Sequence, residues 1–369
     1  MAPIALDTPA EPQVHPVEAL KAAAAAREVD LRQFALFDST PAIGTEFLSV
    51  STDGRPVLTI KEVLQSPAQI AALGRLVSER GVVFFRKAGI TPEEQKVLVQ
   101  SLGTATGKPA ESGLHTHPLT LPGSQYGDEI THISNQHILS KEFTLSEHSK
   151  SYQRVRAKSG WHTDITFERV PSDYASLIIR TLPPGGGDTL WASAYEAYDR
   201  LSPVFQKYLE GLTATHRGSI FLELSQSTGL KLRDVRGHPD NNNDDLTTTH
   251  PVIRTNPVTG WKGLFVNSGF TIRINELTVP ESDWLLNFLF DHIADNHDIQ
   301  VRFRWEEDSL AIWDNRSTFH TATNDVGPHL REGTRSVSLG EKPFFDPNSK
   351  SRRADLADKA EAAAAVEAK

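Results

Sequence analysis

The spacing of apolar and polar positions changes period several times along the chain. Residues 68–80 carry apolar side chains at helical intervals, and 81–85 follow as a short unbroken apolar run of buried-strand type. A second helix is punctuated by its own residues: Thr91 as cap, Pro92 at the first helical position, Glu94 completing a capping box and Gly103 ending it. Further capped starts are predicted at Ser193, with Glu196 three residues on, and at Ser202 before Pro203. From residue 176 onward the pattern is mostly short strands and turns, over 176–181, 189–191, 263–267, 301–305, 310–313 and 336–339. One amphipathic helix, over about 280–294, interrupts them with Trp284, Leu285, Phe288 and Leu289 on one face. Many short strands with a few covering helices predict a mainly β fold, a barrel or jelly roll whose mouth suits a buried ligand.

The two ends read differently. Residues 1–44 are rich in Pro and Ala, with an Ala-rich helix predicted over 16–26, and are expected to form an arm suited to packing on a neighbouring subunit of a homo-oligomer. Residues 349–369 are charged and Ala-rich without an apolar stripe, which predicts a loose helical tail. Residues 45–348 remain as the folded unit, and they show no internal repeat. With 38% hydrophobic residues, this length is ample for a core.

Charge and composition narrow the chemistry. A formal charge of −9 argues against a nucleic-acid groove or an acidic membrane surface, so an anionic substrate would need a local basic pocket. No cysteine is present, which excludes disulfides, thiolate nucleophiles and iron–sulfur ligation and leaves His, Asp and Glu as metal ligands. No apolar run has the length of a membrane span, and Asp7 and Glu11 fall where a secretory signal would be apolar. A cytoplasmic protein is expected.

The strongest chemical signal is His162-Thr163-Asp164. On an extended chain residues i and i+2 face one side, so an imidazole and a carboxylate would project together, two-thirds of a facial triad that leaves other metal positions open. With 14 histidines such a pair arises by chance, and His238-Pro239-Asp240 repeats the spacing within an Asn/Asp-rich loop. What distinguishes the first pair is its company. Thr189 lies 25 residues past Asp164, and His320 follows Trp313-Asp314-Asn315-Arg316, with Arg331 and Arg335 eleven and fifteen residues further on.

In this order the residues resemble the TauD/TfdA (taurine dioxygenase-like) family of Fe(II)/2-oxoglutarate-dependent dioxygenases. The resemblance extends over roughly 45–348, including 161–167, 186–191, 250–259, 264–271 and 311–316. It implies a double-stranded β-helix, cupin-like, with iron held by His162, Asp164 and His320, and O2 and 2-oxoglutarate as co-substrates. It assigns Thr189 and Arg331 to the distal carboxylate of 2-oxoglutarate, a task for which a guanidinium fork is better shaped than an ammonium. Oxidative decarboxylation to succinate and CO2 would furnish the oxidant that attacks a substrate C–H bond.

By the same resemblance, Arg335, His117 of His117-Pro118 and the aromatic Phe270 match the substrate pocket. Two retained cationic groups point to a small anion, a sulfonate first and a carboxylate second. Lys158 and Thr120 replace an Asn and a Tyr of taurine dioxygenase, and they would serve an amino acid or other carboxylate substrate. Trp161 and Trp313 are expected in the core, and Asp314 with Arg316 as a brace. His115, His132, His137 and His148 read as ordinary loop histidines. A zinc hydrolase or a non-catalytic binding protein are the competing readings; the former lacks an evident general base, and the latter has no use for Thr189 and Arg331.

Overall fold

The structure is a computed structural model that describes residues 29–119, 126–135, 157–323 and 325–367. The helix expected over 16–26 lies outside these residues. The first half contains β1 (Leu36–Asp38), β2 (Thr45–Phe47), α1 (Ile60–Leu64), α2 (Pro67–Arg80), β3 (Val82–Phe85), α3 (Pro92–Ala105) and β4 (Ile130–Ser134). Next come β5 (Ser172–Thr181), β6 (Thr189–Ser193), α4 (Ala194–Asp199), α5 (Pro203–Leu209), β7 (Thr213–Arg217) and α6 (Ser219–Thr228). Then follow β8 (Thr247–Pro251), β9 (Ile253–Thr255), β10 (Lys262–Leu264), β11 (Thr271–Ile274) and α7 (Val279–Ala294). The chain closes with β12 (Gln300–Phe303), β13 (Leu310–Asp314), β14 (Thr318–Ala322), β15 (Glu332–Leu339) and α8 (Arg352–Glu367).

A seven-stranded sheet in the order β1-β2-β3-β13-β5-β15-β4 packs against a three-stranded sheet, β12-β6-β14. Period-2 alternation sorts their side chains into separate cores. Val82 and Phe84 of β3, Leu177 of β5 and Trp313 of β13 meet Trp191 of β6 and Phe303 of β12 between the sheets. Phe84 and Phe303 stack with ring centroids 4.1 Å apart. The alternate residues Val83, Phe85, Ile178 and Ile312 pack outward on α2 and α3 through Leu73, Val77, Leu98 and Leu102. Behind the smaller sheet, Ala192 and Phe319 join α4 and α7 in a third cluster. This arrangement is the double-stranded β-helix jelly roll expected from the strand pattern.

Local signals explain the helices. Thr91 and Glu94 form the capping box of α3, with Pro92 at its start. Gly103 does not end that helix, which runs on to Ala105; a Cβ at 103 would come within 2.6 Å of Asp173 Oδ2, so this glycine serves close packing on the sheet. Two expected strands stop early, at Leu264 and Phe303.

The boundaries of the unit also differ from expectation. Leu31, Leu36 and Ile43 are buried, and residues 36–38 form β1 at the edge of the large sheet beside β2, so residues 31–44 pack on the folded unit. A three-residue strand is too short to show periodicity, which hides it. The C-terminal segment is docked at its start: Arg352 is buried with Nη1 2.8 Å from Glu196 Oε1, and Trp261 Nε1 donates to Asp355 Oδ2 at 2.8 Å. No helix among the described residues is long and apolar enough to cross a membrane.

The predicted brace is present. Arg316 donates from Nε and Nη2 to the two oxygens of Asp314, at 2.8 and 2.9 Å, and both residues are buried. Ser78 and Asn256 donate to the same carboxylate. Burial alone would raise the Asp314 pKa, but Arg316 outweighs it and holds the carboxyl below its ordinary 3.8. That contribution to stability is therefore full above the unfolded value and fades as pH falls through the folded one. Arg316→Met is expected to cost about 3–5 kcal/mol, because the Asp314 charge stays buried without its partner. Urea denaturation at neutral pH checks this, and a loss under about 1 kcal/mol, the range of an exposed pair, would refute it.

Candidate metal centre

His162 is not on a regular strand, and this corrects the extended geometry expected for His162 and Asp164. It makes an isolated antiparallel bridge to His320 of β14: His162 N–H donates to His320 O at 3.0 Å and His320 N–H to His162 O at 2.7 Å. The chain then turns over 164–168, with Ile165 at φ 51°. Asp164 reaches the histidines through this turn. Its N–H donates to Asn315 Oδ1 at 3.2 Å, and Asn315 is held by Trp313 Nε1 at 3.0 Å and Ser172 Oγ at 2.8 Å.

One donor atom from each of His162, Asp164 and His320 lies within 4.8 Å of the others, and among the described residues this is the one such group. Gly160 O is 3.0 Å from His162 Nδ1, so that nitrogen carries the proton and Nε2 faces the cluster, 4.0 Å from Asp164 Oδ1. Gly269 lets the backbone pass close by, since a Cβ there would sit 2.9 Å from His162 Cβ.

The protonation states suit ligation. Burial, helped by His162, pushes the His320 pKa down to about 3 and keeps the ring neutral. Burial works against ionised Asp164, but the charge of Arg335 prevails and lowers its pKa. Asp164 Oδ2 is buried with no hydrogen-bond partner, as expected of an atom built to face something other than protein, and His320 turns its Nε2 to within 3.8 Å of Asp164 Oδ1. Two imidazoles and one carboxylate, with His162 still 31% exposed, form a donor set that fits a divalent metal and leaves one side accessible.

Beside this cluster lies an arginine corner. Arg331 is buried, with Nε donating to Gly187 O at 2.9 Å and Nη2 to Thr189 Oγ1 at 3.4 Å. Thr189 also accepts from Trp305 Nε1 at 3.0 Å, which fixes its hydroxyl. Arg331 forms no ion pair among the described residues, although Asp188 lies close enough to oppose the effect of burial on its pKa. Gly187 has φ 72°, and a Cβ on it would lie 2.8 Å from Arg331 Cδ. Arg331 precedes β15, whose register on β5 shifts between Glu332 and Gly333, so it is not in regular alternation with Arg335. The two guanidiniums therefore have separate partners: Arg335 Nη1 donates to Asp164 Oδ1 at 2.6 Å.

The residues expected at the substrate divide. Phe270 stands edge-on to His162 at 6.2 Å and, with Phe167 and Phe221, makes an aromatic wall. His117 packs on Phe221 at 5.0 Å, and burial, then His115 and Arg335, lower its pKa to about 3. It is a neutral group at physiological pH, which corrects its reading as a cation. Its Nδ1 accepts from Leu119 N–H at 3.2 Å, so the proton sits on Nε2. Lys158, expected to serve a carboxylate substrate, pairs instead with Asp291 of α7 at 2.8 Å. Thr120 lies outside the described residues, as do His137 and His148. His115 is no ordinary loop histidine, being buried 3.4 Å from Glu168. Phe167 and Asn315 lie inside segments singled out in the sequence and Trp305 ends the strand predicted over 301–305, but nothing local marks Phe221.

Few chemistries need a three-donor metal set open on one side and, next to it, a buried cation without a carboxylate of its own. Oxygenases that use 2-oxoglutarate need both, and the jelly roll is their scaffold. Sequence comparison narrows the class. Residues 36–337 match the family described as taurine catabolism dioxygenase TauD, TfdA family, and the chain belongs to it as an alpha-ketoglutarate-dependent dioxygenase. It is 44% identical over 338 residues to the alpha-ketoglutarate-dependent dioxygenase btcD of Neocamarosporium betae, covering 88% of this chain and 95% of that one. It is 34% identical to an alpha-ketoglutarate-dependent sulfonate dioxygenase of Saccharomyces cerevisiae, over 74% of this chain and 61% of that one. The crystal structure of a taurine dioxygenase from Burkholderia xenovorans superposes with a TM-score of 0.62 at 27% identity, covering 86% and 92% of the two chains.

Proposed function

We propose that the metal is Fe(II), held by His162, Asp164 and His320, and that the enzyme oxidises an unactivated C–H bond of a small anionic substrate. A sulfonate, losing sulfite after hydroxylation of the carbon that bears sulfur, is the preferred substrate. The observation that carries the reading is the buried Arg331–Thr189 pair beside the triad: a desolvated guanidinium without an ion pair suits the distal carboxylate of 2-oxoglutarate. Bound iron would supply oxygen activation, splitting O2 between succinate and the hydroxylated product as CO2 leaves.

The chain's own residues bind and orient. Arg331 and Thr189 fix one end of 2-oxoglutarate, and the aromatic wall of Phe167, Phe221 and Phe270 shields the other side of the site. Arg335 keeps a buried Nε without a partner next to Asp164, a donor for a substrate oxygen. His117 adds an uncharged Nε2–H. The sulfonate dioxygenase named among the relatives supports this choice. A second reading keeps the chemistry and takes an amino acid or other carboxylate, hydroxylated, desaturated or cyclised in a biosynthetic pathway. It is favoured by the higher identity, 44% against 34%, to btcD than to the sulfonate dioxygenase.

Anaerobic loading with Fe(II) and 2-oxoglutarate, then oxygen with sulfonates, aryloxyalkanoates and amino acids, tests both. Succinate and sulfite forming in equal amounts with one sulfonate is the expected result. Stoichiometric succinate with an amino acid selects the second reading, and no succinate under any condition removes the assignment.

A further inference from the structure

The ligand Asp164 stands at the head of a turn that the chain adopts under strain. Ile165 has φ 51°, and a β-branched residue in the left-handed region is a genuine outlier. Such a conformation persists only where the surroundings over-determine it. Within the turn, Glu168 N–H donates to Ile165 O at 3.0 Å. Further restraints come from the three-stranded sheet β11-β7-β8 and the segment after β10. His250, buried on β8, places Nε2 3.0 Å from Thr166 O and 3.0 Å from Glu168 O, so one N–H serves two carbonyls of the turn. The Thr166 hydroxyl lies 3.0 Å from His216 Nδ1 on β7 and accepts from Asn267 Nδ2 at 3.1 Å. Thr166 and Glu168 are fully buried, which leaves water no access to replace a lost donor. Burial, then the charge of Arg254, keeps the His250 ring neutral.

We propose that His250 is a positioning residue for the metal ligand Asp164: its Nε2–H ties the Thr166 and Glu168 carbonyls together and thereby holds the strained turn that aims the carboxylate at His162 and His320. The proposal rests on the metal site proposed above. His250 touches neither substrate nor metal in this arrangement; it acts through the backbone. The same turn continues into Phe167 of the aromatic wall, and Glu168 is gripped by the buried Arg236, so the restraint at its centre governs one ligand and one pocket wall together.

Titration of Mn(II) into the full chain, by calorimetry and by electron paramagnetic resonance of the bound ion, tests this well below each variant's unfolding midpoint. The wild type is expected to bind one Mn(II). His250→Phe keeps the bulk and removes the donor, and affinity should fall roughly 10–100-fold, the range for residues that orient a metal ligand. His250→Gln, whose amide nitrogen reaches about as far as Nε2, should recover most of that loss. Val77→Ala, in the helix-facing core, should lower the midpoint and leave affinity unchanged. Where His250→Phe does not fold, His250→Asn, whose amide stops short of both carbonyls, gives the same comparison with His250→Gln. Wild-type affinity in the donor-less variant, or an equal loss in Val77→Ala, overturns the positioning role and leaves the metal site standing. Absence of Mn(II) binding in the wild type removes the metal site and the proposal with it.

Discussion

Arg331→Ala is expected to raise the KM for 2-oxoglutarate by roughly 10²–10⁴-fold, with the metal still bound. The guanidinium is buried and can offer a carboxylate two parallel bonds, each worth about 1.5–3 kcal/mol when one partner is charged. Its removal also leaves Gly187 O without the donor it has at 2.9 Å, so some loss of stability accompanies the kinetic effect. Arg331→Lys separates the two contributions. A lysine restores the charge but not the fork, and its KM should fall between wild type and alanine. Succinate formation against 2-oxoglutarate concentration gives the number. A KM within threefold of wild type for Arg331→Ala would mean that the co-substrate carboxylate lies elsewhere.

Asp164→Ala should remove metal-dependent turnover altogether. It deletes the one anionic donor of the triad, so metal affinity should fall by more than the ~10–100-fold attributed to residues that merely orient a ligand. The substitution has a second, metal-independent consequence. Arg335 loses the oxygen it contacts at 2.6 Å, and a charge left behind by its partner in a buried pair costs about 3–5 kcal/mol. Arg335 keeps 16% exposure, so the loss should lie at or below the lower end. Metal titration and urea denaturation of the metal-free protein read the two effects independently. Retention of one tightly bound Mn(II) by the alanine variant would show that the carboxylate is not a ligand.

What the sequence disclosed follows the range over which each signal acts. The helix from Pro92 is announced by Thr91 and Glu94 because capping is settled within four residues. Trp313 betrays its strand because burial on both faces leaves an unbroken apolar run, and Phe303 because it alternates with the exposed Arg302 and Arg304. The triad is legible through the order and spacing of His162, Asp164 and His320, although the geometry that unites them is a backbone bridge and a turn rather than one strand.

The failures share a cause. Lys158 sits four residues before His162, but its side chain pairs with Asp291, on a helix over a hundred residues away in sequence. His115 reads as loop until Glu168 and Arg236 are brought beside it by folding. His117 keeps the residue type of an anion site while burial removes its charge. Burial is a property of the assembled fold, so charge state cannot be read from residue identity.

The reciprocal amides of His162 and His320 have a kinetic consequence. Because two of the three donors are joined to one another through the main chain, their relative placement is set when the polypeptide folds and does not wait for the ion. The apoprotein then resembles a rigid chelator more than a zinc-finger peptide, in which ligation and folding are one event. At the proposed metal site, loss and recapture of an ion would be side-chain events on a standing backbone, and a chelator would strip the site without unravelling the jelly roll around it.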